Sequence, residues 1–200
     1  MAIFKPESSG TYTDYLGICE FAIMDFKDKS ADFDWADIFI EVIVRQKGSD
    51  YDRPLQIKGS LEKEGNAGTV SGGAVLKRMY HFFEQIGCSA GINVKGEWED
   101  ENGEKIKDIA SYLSDKFLSA VIPGTNPSYN YLGYFYKETP KVPDGKVYTR
   151  VFTKVYQNKE GNKAKLSSDV QWMKSKGYLK EMADEVQVNT DISGSGLANL

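Results

Sequence analysis

The sequence predicts a mostly β domain with helices, an OB-fold-like five-stranded Greek-key barrel with one helix after the third strand and a C-terminal helix. Three apolar segments with strand-like alternation come first, an amphipathic helical segment follows, and two aromatic strand segments come later. This order is typical of a small barrel that a helix closes at one end. A mixed α+β sandwich would have the same order of elements, so the sequence leaves that architecture open.

The first three strands are predicted by runs of apolar, β-branched and aromatic residues between polar turns. Residues 11–26 form a long strand, in which Gly17 indicates a bulge or bend. Residues 35–48 alternate strictly, which indicates a half-buried strand, and residues 55–63 continue the meander. The predicted core face of the second strand consists of Ile38, Ile40, Val42 and Val44.

Helices are predicted where apolar residues recur every three to four positions. Residues 74–87 have this spacing and end at Gly87, a residue type that favours the left-handed conformation found at helix C-termini. A hairpin with turn residues near 101–103 follows. Residues 109–117 then form a short helix.

The C-terminal third of the chain predicts two strands and one helix. Residues 129–138 and 146–158 flank a turn rich in proline and glycine, so they form a hairpin with a long loop. A helix over residues 166–182 has Ser168 as its predicted N-cap and Gly177 as its stop.

Length and composition predict one folded domain without a membrane segment. With 200 residues, the chain can bury about 70% of its unfolded surface. The two cysteines form no CxxC motif and no apolar run is long enough to span a bilayer, so we expect reduced thiols and a cytoplasmic location. We expect residues 1–183 to form a single OB-like nucleic-acid-binding domain and residues 184–200 a flexible tail.

The segment KVYTRVFTKVY, residues 146–156, has an unusual alternation. One strand face would carry only valine and threonine, which suits a core, and the other would alternate cations with aromatic rings. The surrounding window of residues 129–165 has a net charge of +5, whereas the rest of the chain carries −9. Cations and aromatic rings are therefore concentrated in one part of an acidic protein.

Single-stranded nucleic acid is the ligand that this pattern favours. Cations follow the phosphates and flat rings stack on bases, in a way that tolerates any base sequence. Tyrosine, phenylalanine and threonine are also good strand residues and lysine solvates outer faces, so strand chemistry alone is the competing interpretation. The predicted binding residues are Tyr148, Phe152, Tyr156, Lys146, Arg150, Lys154, Tyr131, Tyr134, Tyr136 and Lys137, with Tyr129 and Lys141 beside them.

Other features give weaker indications of function. The glycine-rich segment 64–73 fits no phosphate-loop pattern, so it predicts a helix start with Thr69, Lys77 and Arg78 as weak backbone contacts. His81 lacks a second histidine or a partnered cysteine, and the acidic groups lie at predicted turns. We therefore expect a protein that is not an enzyme and has no cofactor or metal, although a metal-dependent nuclease stays as a third hypothesis.

The chain resembles the single-stranded DNA-binding proteins of tailed bacteriophages. The resemblance lies in the opening IFKPESSGTYTDYLG, the strand ADIFIEVIVRQKG and the helix LKRMYHFFEQIG, and it covers roughly residues 1–160. It implies an OB-like barrel that binds single-stranded DNA in phage replication and recombination, in the host cytoplasm, without a cofactor. Phage replication proteins are implied as partners, although the tail lacks the dense acidic run that usually recruits them.

A second function class stays open at this stage. The same aromatic face could be a protein–protein interface in a virion structural or assembly protein, because tyrosine and arginine are enriched in such interfaces. The sequence leaves the oligomeric state open, including a homo-oligomer.

Overall fold

The computed structural model describes residues 15–66, 68–118, 128–140, 142 and 145–182. The strands in these ranges are β1 (Gly17–Asp28), β2 (Ile38–Gln46), β3 (Asp52–Gly59), β4 (Glu62–Glu64), β5 (Thr69–Gly72), β6 (Gly91–Ile92), β7 (Trp98–Glu99), β8 (Tyr131–Glu138), β9 (Tyr148–Val151) and β10 (Tyr156–Gln157). The α-helices are α1 (Ala74–Ile86), α2 (Ile109–Phe117) and α3 (Asn162–Ser175). Residues 3–14 of the opening motif, the predicted tail and Lys141 lie outside the described residues.

One six-stranded antiparallel sheet organises the fold. Its strands follow the order β10-β8-β1-β2-β3, and β9 also pairs with β8, farther along the edge that β10 uses. The pairs β4–β5 and β6–β7 form two separate small hairpins. The Cα atoms of β3 and β9 approach within 8 Å, but no hydrogen-bonded ladder joins these two strands in the described ranges.

The fold class is therefore confirmed only at its coarser level. The structure is a mixed α and β fold with a mostly antiparallel sheet and three helices in the described residues. Closure into a Greek-key barrel is not seen in these ranges, and the sheet has an open seam between β3 and β9.

The main core lies between one face of the sheet and α1. The predicted alternation of β2 is confirmed, since its four aliphatic residues Ile38, Ile40, Val42 and Val44 are all buried. From α1, Met79, Phe82 and Phe83 pack against them, as the helical spacing predicts. The predicted stop is confirmed as well, because Gly87 is left-handed (φ 74°) and its N–H donates to the last carbonyls of α1.

A second core covers part of the opposite sheet face. Here α3 lies on β8, with Leu166 and Val170 packed against Leu132, Tyr134 and Phe152. The strand β8 is consequently buried on both faces, because its alternate residues Tyr131 and Phe135 point into the main core. The chain after α3 adds a short antiparallel bridge, in which the N–H of Met182 donates to the carbonyl of Lys137.

The predicted strand over residues 146–158 is wrong in one respect. The segment pairs with β8 at both ends, as β9 and β10, but residues 152–155 between them leave regular strand geometry. The N–H of Phe152 still donates to the carbonyl of Tyr134 at 2.8 Å. The period-two alternation therefore does not run unbroken from Lys146 to Tyr156.

Three smaller expectations also need correction. The register shift in β1 lies between Ile23 and Asp25, whereas Gly17 begins the strand with φ 92°. The helix α3 begins after Gly161, so Ser168 is an interior residue whose hydroxyl donates to the carbonyl of Ala164 rather than an N-cap. The glycine-rich segment 64–73 leads into α1 at Ala74 as predicted, but its residues Thr69–Gly72 form the strand β5, which pairs with β4.

Glycine at position 133 allows the two sides of β8 to pack. A Cβ atom there would lie 2.9 Å from Cε1 of Phe21, which is fully buried in the main core. We expect Gly133→Ala to lower the free energy of unfolding by about 1–3 kcal/mol through overpacking. Urea denaturation followed by circular dichroism measures this change.

The control is Gly72→Ala in the β4–β5 hairpin, where a Cβ would meet only the carboxylate of the exposed residue Glu62. A Gly133→Ala protein with the wild-type unfolding midpoint would contradict the packing described for β8.

Candidate nucleic-acid interface

The structure places three of the predicted stacking residues beneath α3. Phe152 is only 7% exposed, and Tyr134 is buried beside it. The hydroxyl of Tyr134 donates to Glu181 at 2.6 Å, and the hydroxyl of Tyr156 donates to Asp169 at 2.6 Å. Burial and this second hydrogen bond raise the pKa of Tyr156. The expectation that Phe152 and Tyr156 lie with Tyr148 on one exposed strand face is therefore wrong, and Tyr134 belongs to the second core.

Tyr131, a further predicted stacking residue, also faces the interior of the fold. Its ring packs on Phe21 at a centroid distance of 5.6 Å, on the face of β8 that points into the main core. Burial raises the pKa of its hydroxyl. Tyr136 is half-buried and stacks on Tyr134 with an interplanar angle of 19°, so it lies at the margin of the second core.

The predicted cations differ in their surroundings. The ammonium of Lys154 is paired with Asp169 at 2.7 Å, beside the hydroxyl of Tyr156. Arg150 pairs with Glu138 at 2.8 Å and its guanidinium lies 5.3 Å from the ring centroid of Tyr148. Lys137 and Lys146 have exposed side chains. Of the predicted cations, Lys154 is therefore paired with α3, whereas Lys137 and Lys146 face solvent.

A cleft lies where the hairpin of β8 and β9 meets the open seam of the sheet. Its volume is about 330 Å³, and it runs between β3 and the paired strands β8 and β9. Its lining residues are Pro54, Gln56, Lys58, Tyr136, Glu138, Arg150 and Val151. The cleft therefore combines two cations, one tyrosine ring and one carboxylate from segments that lie far apart in sequence.

A second hollow of about 360 Å³ continues from the cleft along the β8–β9 hairpin. Glu138 and Arg150 line both hollows, and Lys146 and Tyr148 line the second. Tyr148 is 52% exposed. Together these two hollows, here called the seam cleft, form an open surface with both of the residue types that the sequence analysis required.

A chain of polar contacts fixes the β3 side of the seam cleft. The ammonium of Lys58 donates to Oε1 of Gln56 at 2.8 Å, and Nε2 of Gln56 donates to Glu41 at 3.1 Å. Glu41 is 7% exposed and also pairs with Lys29 at 2.8 Å. Burial alone would raise the pKa of Glu41, but the hydrogen bonds from Lys29 and Gln56 outweigh it, so the pKa lies below its usual value.

Sequence reasoning missed an aromatic cluster beside Lys58. Phe33, Trp35 and Phe39 lie in or next to the turn between β1 and β2, with ring centroids 5.1 to 6.2 Å apart. The Lys58 ammonium lies 5.0 Å from the Phe39 ring centroid and 5.9 Å from that of Trp35. Three aromatic residues close together in and beside a polar turn were the available sequence signal. No pattern in the neighbouring sequence predicts that Lys58 lies over their rings.

Two of the four weaker candidates have structural contacts within the fold. His81 is half-buried, with Nε2 2.8 Å from the carbonyl oxygen of Val155. The Arg78 guanidinium donates to the carbonyl of Lys58 at 2.8 Å, and burial lowers its pKa. Thr69 and Lys77 are exposed on β5 and α1. Within the described ranges, no group of three His, Cys, Asp or Glu side chains is placed to hold a metal ion.

Comparisons with protein-family models, curated proteins and solved structures give no match for this chain. In the part of the chain that the structure describes, no helix has the length and apolar character needed to cross a membrane.

The buried carboxylate of Glu41 predicts that the folded protein loses stability as the pH falls. Because the folded pKa of Glu41 is depressed, its contribution to stability is present above its unfolded pKa of about 4.3 and is lost as pH falls through the folded value. We expect Glu41→Gln to lower the free energy of unfolding by about 1 kcal/mol at pH 7 and to reduce the dependence of stability on pH below about 5. Urea denaturation at a series of pH values measures both effects.

The matched control is Glu97→Gln, because Glu97 forms an exposed ion pair with Lys105. We expect little change from it at pH 7. Equal effects of the two substitutions would show that the burial of Glu41 has no energetic consequence.

Proposed function

We propose that this protein binds single-stranded DNA without sequence preference, and that the strand lies in the seam cleft. The observation that carries the proposal is the seam itself, where Lys58, Arg150 and Tyr148 lie on one open surface. Cations and accessible rings on one open surface are the requirements for sequence-tolerant binding of a single strand.

The residues of the cleft divide into two roles in this proposal. Lys58 and Lys146 contact phosphates, and Tyr148 stacks on a base. Lys137 is exposed but lines neither hollow. Arg150 contributes charge while Glu138 and the Tyr148 ring hold its guanidinium in place. Orientation by neighbouring side chains lowers the entropy lost when a ligand binds.

The proposed interface differs from the one predicted from sequence in the residues that contact the ligand. Phe152, Tyr156 and Lys154 are engaged by α3 and its residue Asp169, so they support the fold beside the cleft and do not contact the ligand. Lys58 from β3, which the sequence analysis did not predict, contributes a phosphate contact in this proposal. The OB-like barrel and the setting of phage replication and recombination come only from the sequence resemblance and belong to this proposal.

The stacking role of Tyr148 can be tested directly. Removing one base-stacking ring costs about 1–3 kcal/mol, so Tyr148→Ala should weaken the affinity for oligo-dT about 5- to 150-fold. Fluorescence anisotropy with labelled oligo-dT, and with a duplex of equal length, measures the affinity and the preference for single strands.

Tyr178→Ala is the matched control, because Tyr178 is a more exposed tyrosine (66%) just after α3. Wild-type affinity is expected for this variant and for Tyr156→Phe. Strong binding that Tyr148→Ala does not weaken would move the site away from the cleft. Absence of DNA binding together with a stable oligomer would favour the assembly-protein alternative.

The phosphate role of Lys58 predicts a change in salt dependence. For single strands, the slope of log affinity against log salt changes by about 0.7 for each phosphate that the protein ceases to neutralise. Lys58→Met should therefore weaken binding to all sequences and flatten this slope by roughly that amount. Titrations at a series of salt concentrations measure it.

Lys105→Met serves as the control for net charge, since Lys105 is exposed and pairs with Glu97 away from the seam. If both lysine variants flatten the slope equally, the effect comes from overall charge and the phosphate role assigned to Lys58 is wrong.

A further inference from the structure

The turn between β1 and β2 exposes aromatic rings that the core does not require. Trp35 is 53% exposed and Phe33 is 39% exposed, whereas Phe39 beneath them is buried. The Phe33 ring stacks on Phe39 with an interplanar angle of 26°, and the Trp35 ring is tilted against both. The rings are thus held in place by a buried neighbour while their outer surfaces face solvent.

This aromatic cluster is continuous with the seam cleft through one side chain. Lys58 lines the cleft, and its ammonium lies 5.0 Å and 5.9 Å from the ring centroids of Phe39 and Trp35. The hydrogen bond to Gln56 holds the ammonium at this junction. A phosphate bound by Lys58 would place the adjacent base within reach of the Trp35 ring.

Charges around the turn restrict which part of a strand can reach it. Asp37 is paired with Lys63 at 2.6 Å and accepts the N–H of Leu61, so its charge is compensated. Asp32 and Asp34 are exposed and adjacent to Phe33 in sequence, and their negative charges oppose the approach of phosphates. The turn therefore suits a base, which is uncharged, with its phosphate directed toward Lys58.

We propose that Trp35 and Phe33 form a second base-stacking position, so that a bound strand runs from Tyr148 across Lys58 to the turn between β1 and β2. This inference rests on the proposed function of the seam cleft. It assigns the exposed rings to a nucleobase rather than to an apolar protein partner, because the cation at the edge of the rings also lines the cleft.

Tryptophan fluorescence provides the direct test. In a Trp98→Phe/Trp172→Phe protein, Trp35 is the only tryptophan, and stacking on a base quenches its emission. Oligo-dT is titrated into this protein while anisotropy of a labelled oligo-dT reports binding independently. We expect quenching that saturates at the same concentration as the anisotropy signal.

Affinity variants in the wild-type background keep the test independent of the double substitution. Trp35→Ala should weaken oligo-dT binding about 5- to 150-fold, as removal of one stacking ring does. Trp172→Ala removes an equally exposed tryptophan (55%) from α3 and should leave affinity unchanged. Asp34→Asn should strengthen binding about twofold, because it removes a repulsive charge beside the rings.

The outcomes separate this inference from the proposed function. Normal anisotropy with unquenched Trp35 and an unaffected Trp35→Ala protein would overturn the second stacking position and leave the seam cleft intact. Equal weakening by Trp35→Ala and Trp172→Ala would overturn it as well. Absence of binding by the wild-type protein would overturn both proposals.

Discussion

The structure depends on one strand that is buried on both faces. Phe135 of β8 faces the main core, and Leu132 faces α3. Gly133 makes this possible, since a larger residue there would meet the ring of Phe21. Because β8 also pairs with β1 on one edge and with β9 and β10 on the other, it determines where both cores form and where the sheet stays open.

Because β8 is buried on both faces, the proposed binding site lies at the seam and not on the strand face that the sequence predicted. The helix α3 covers the part of the second sheet face that carries Tyr134 and Phe152, and Asp169 of α3 binds both Lys154 and Tyr156. The part next to β3 lies beyond this cover. Side chains that looked equivalent in the sequence therefore have two roles, with one group closing the second core and the other lining an open cleft.

The elements with local signals could be predicted, and those that depend on distant contacts could not. The alternation in β2 and the spacing in α1 follow from burial on one face, so sequence alone reveals them. Between β9 and β10, Phe152 and Lys154 contact α3, and the alternation of the segment cannot reveal these contacts. Likewise, the predicted Arg150 and Tyr148 do lie on the open surface, but Lys58 joins them only because β3 ends beside β9.

Ultraviolet crosslinking of bound oligo-dT, followed by mass spectrometry of the crosslinked peptides, tests most directly whether the open seam receives the strand. We expect crosslinks in peptides containing Tyr148 or Tyr136, at the two hollows of the seam cleft. Crosslinks confined to exposed aromatic residues on the opposite side of the sheet, such as Tyr80 of α1, would contradict it.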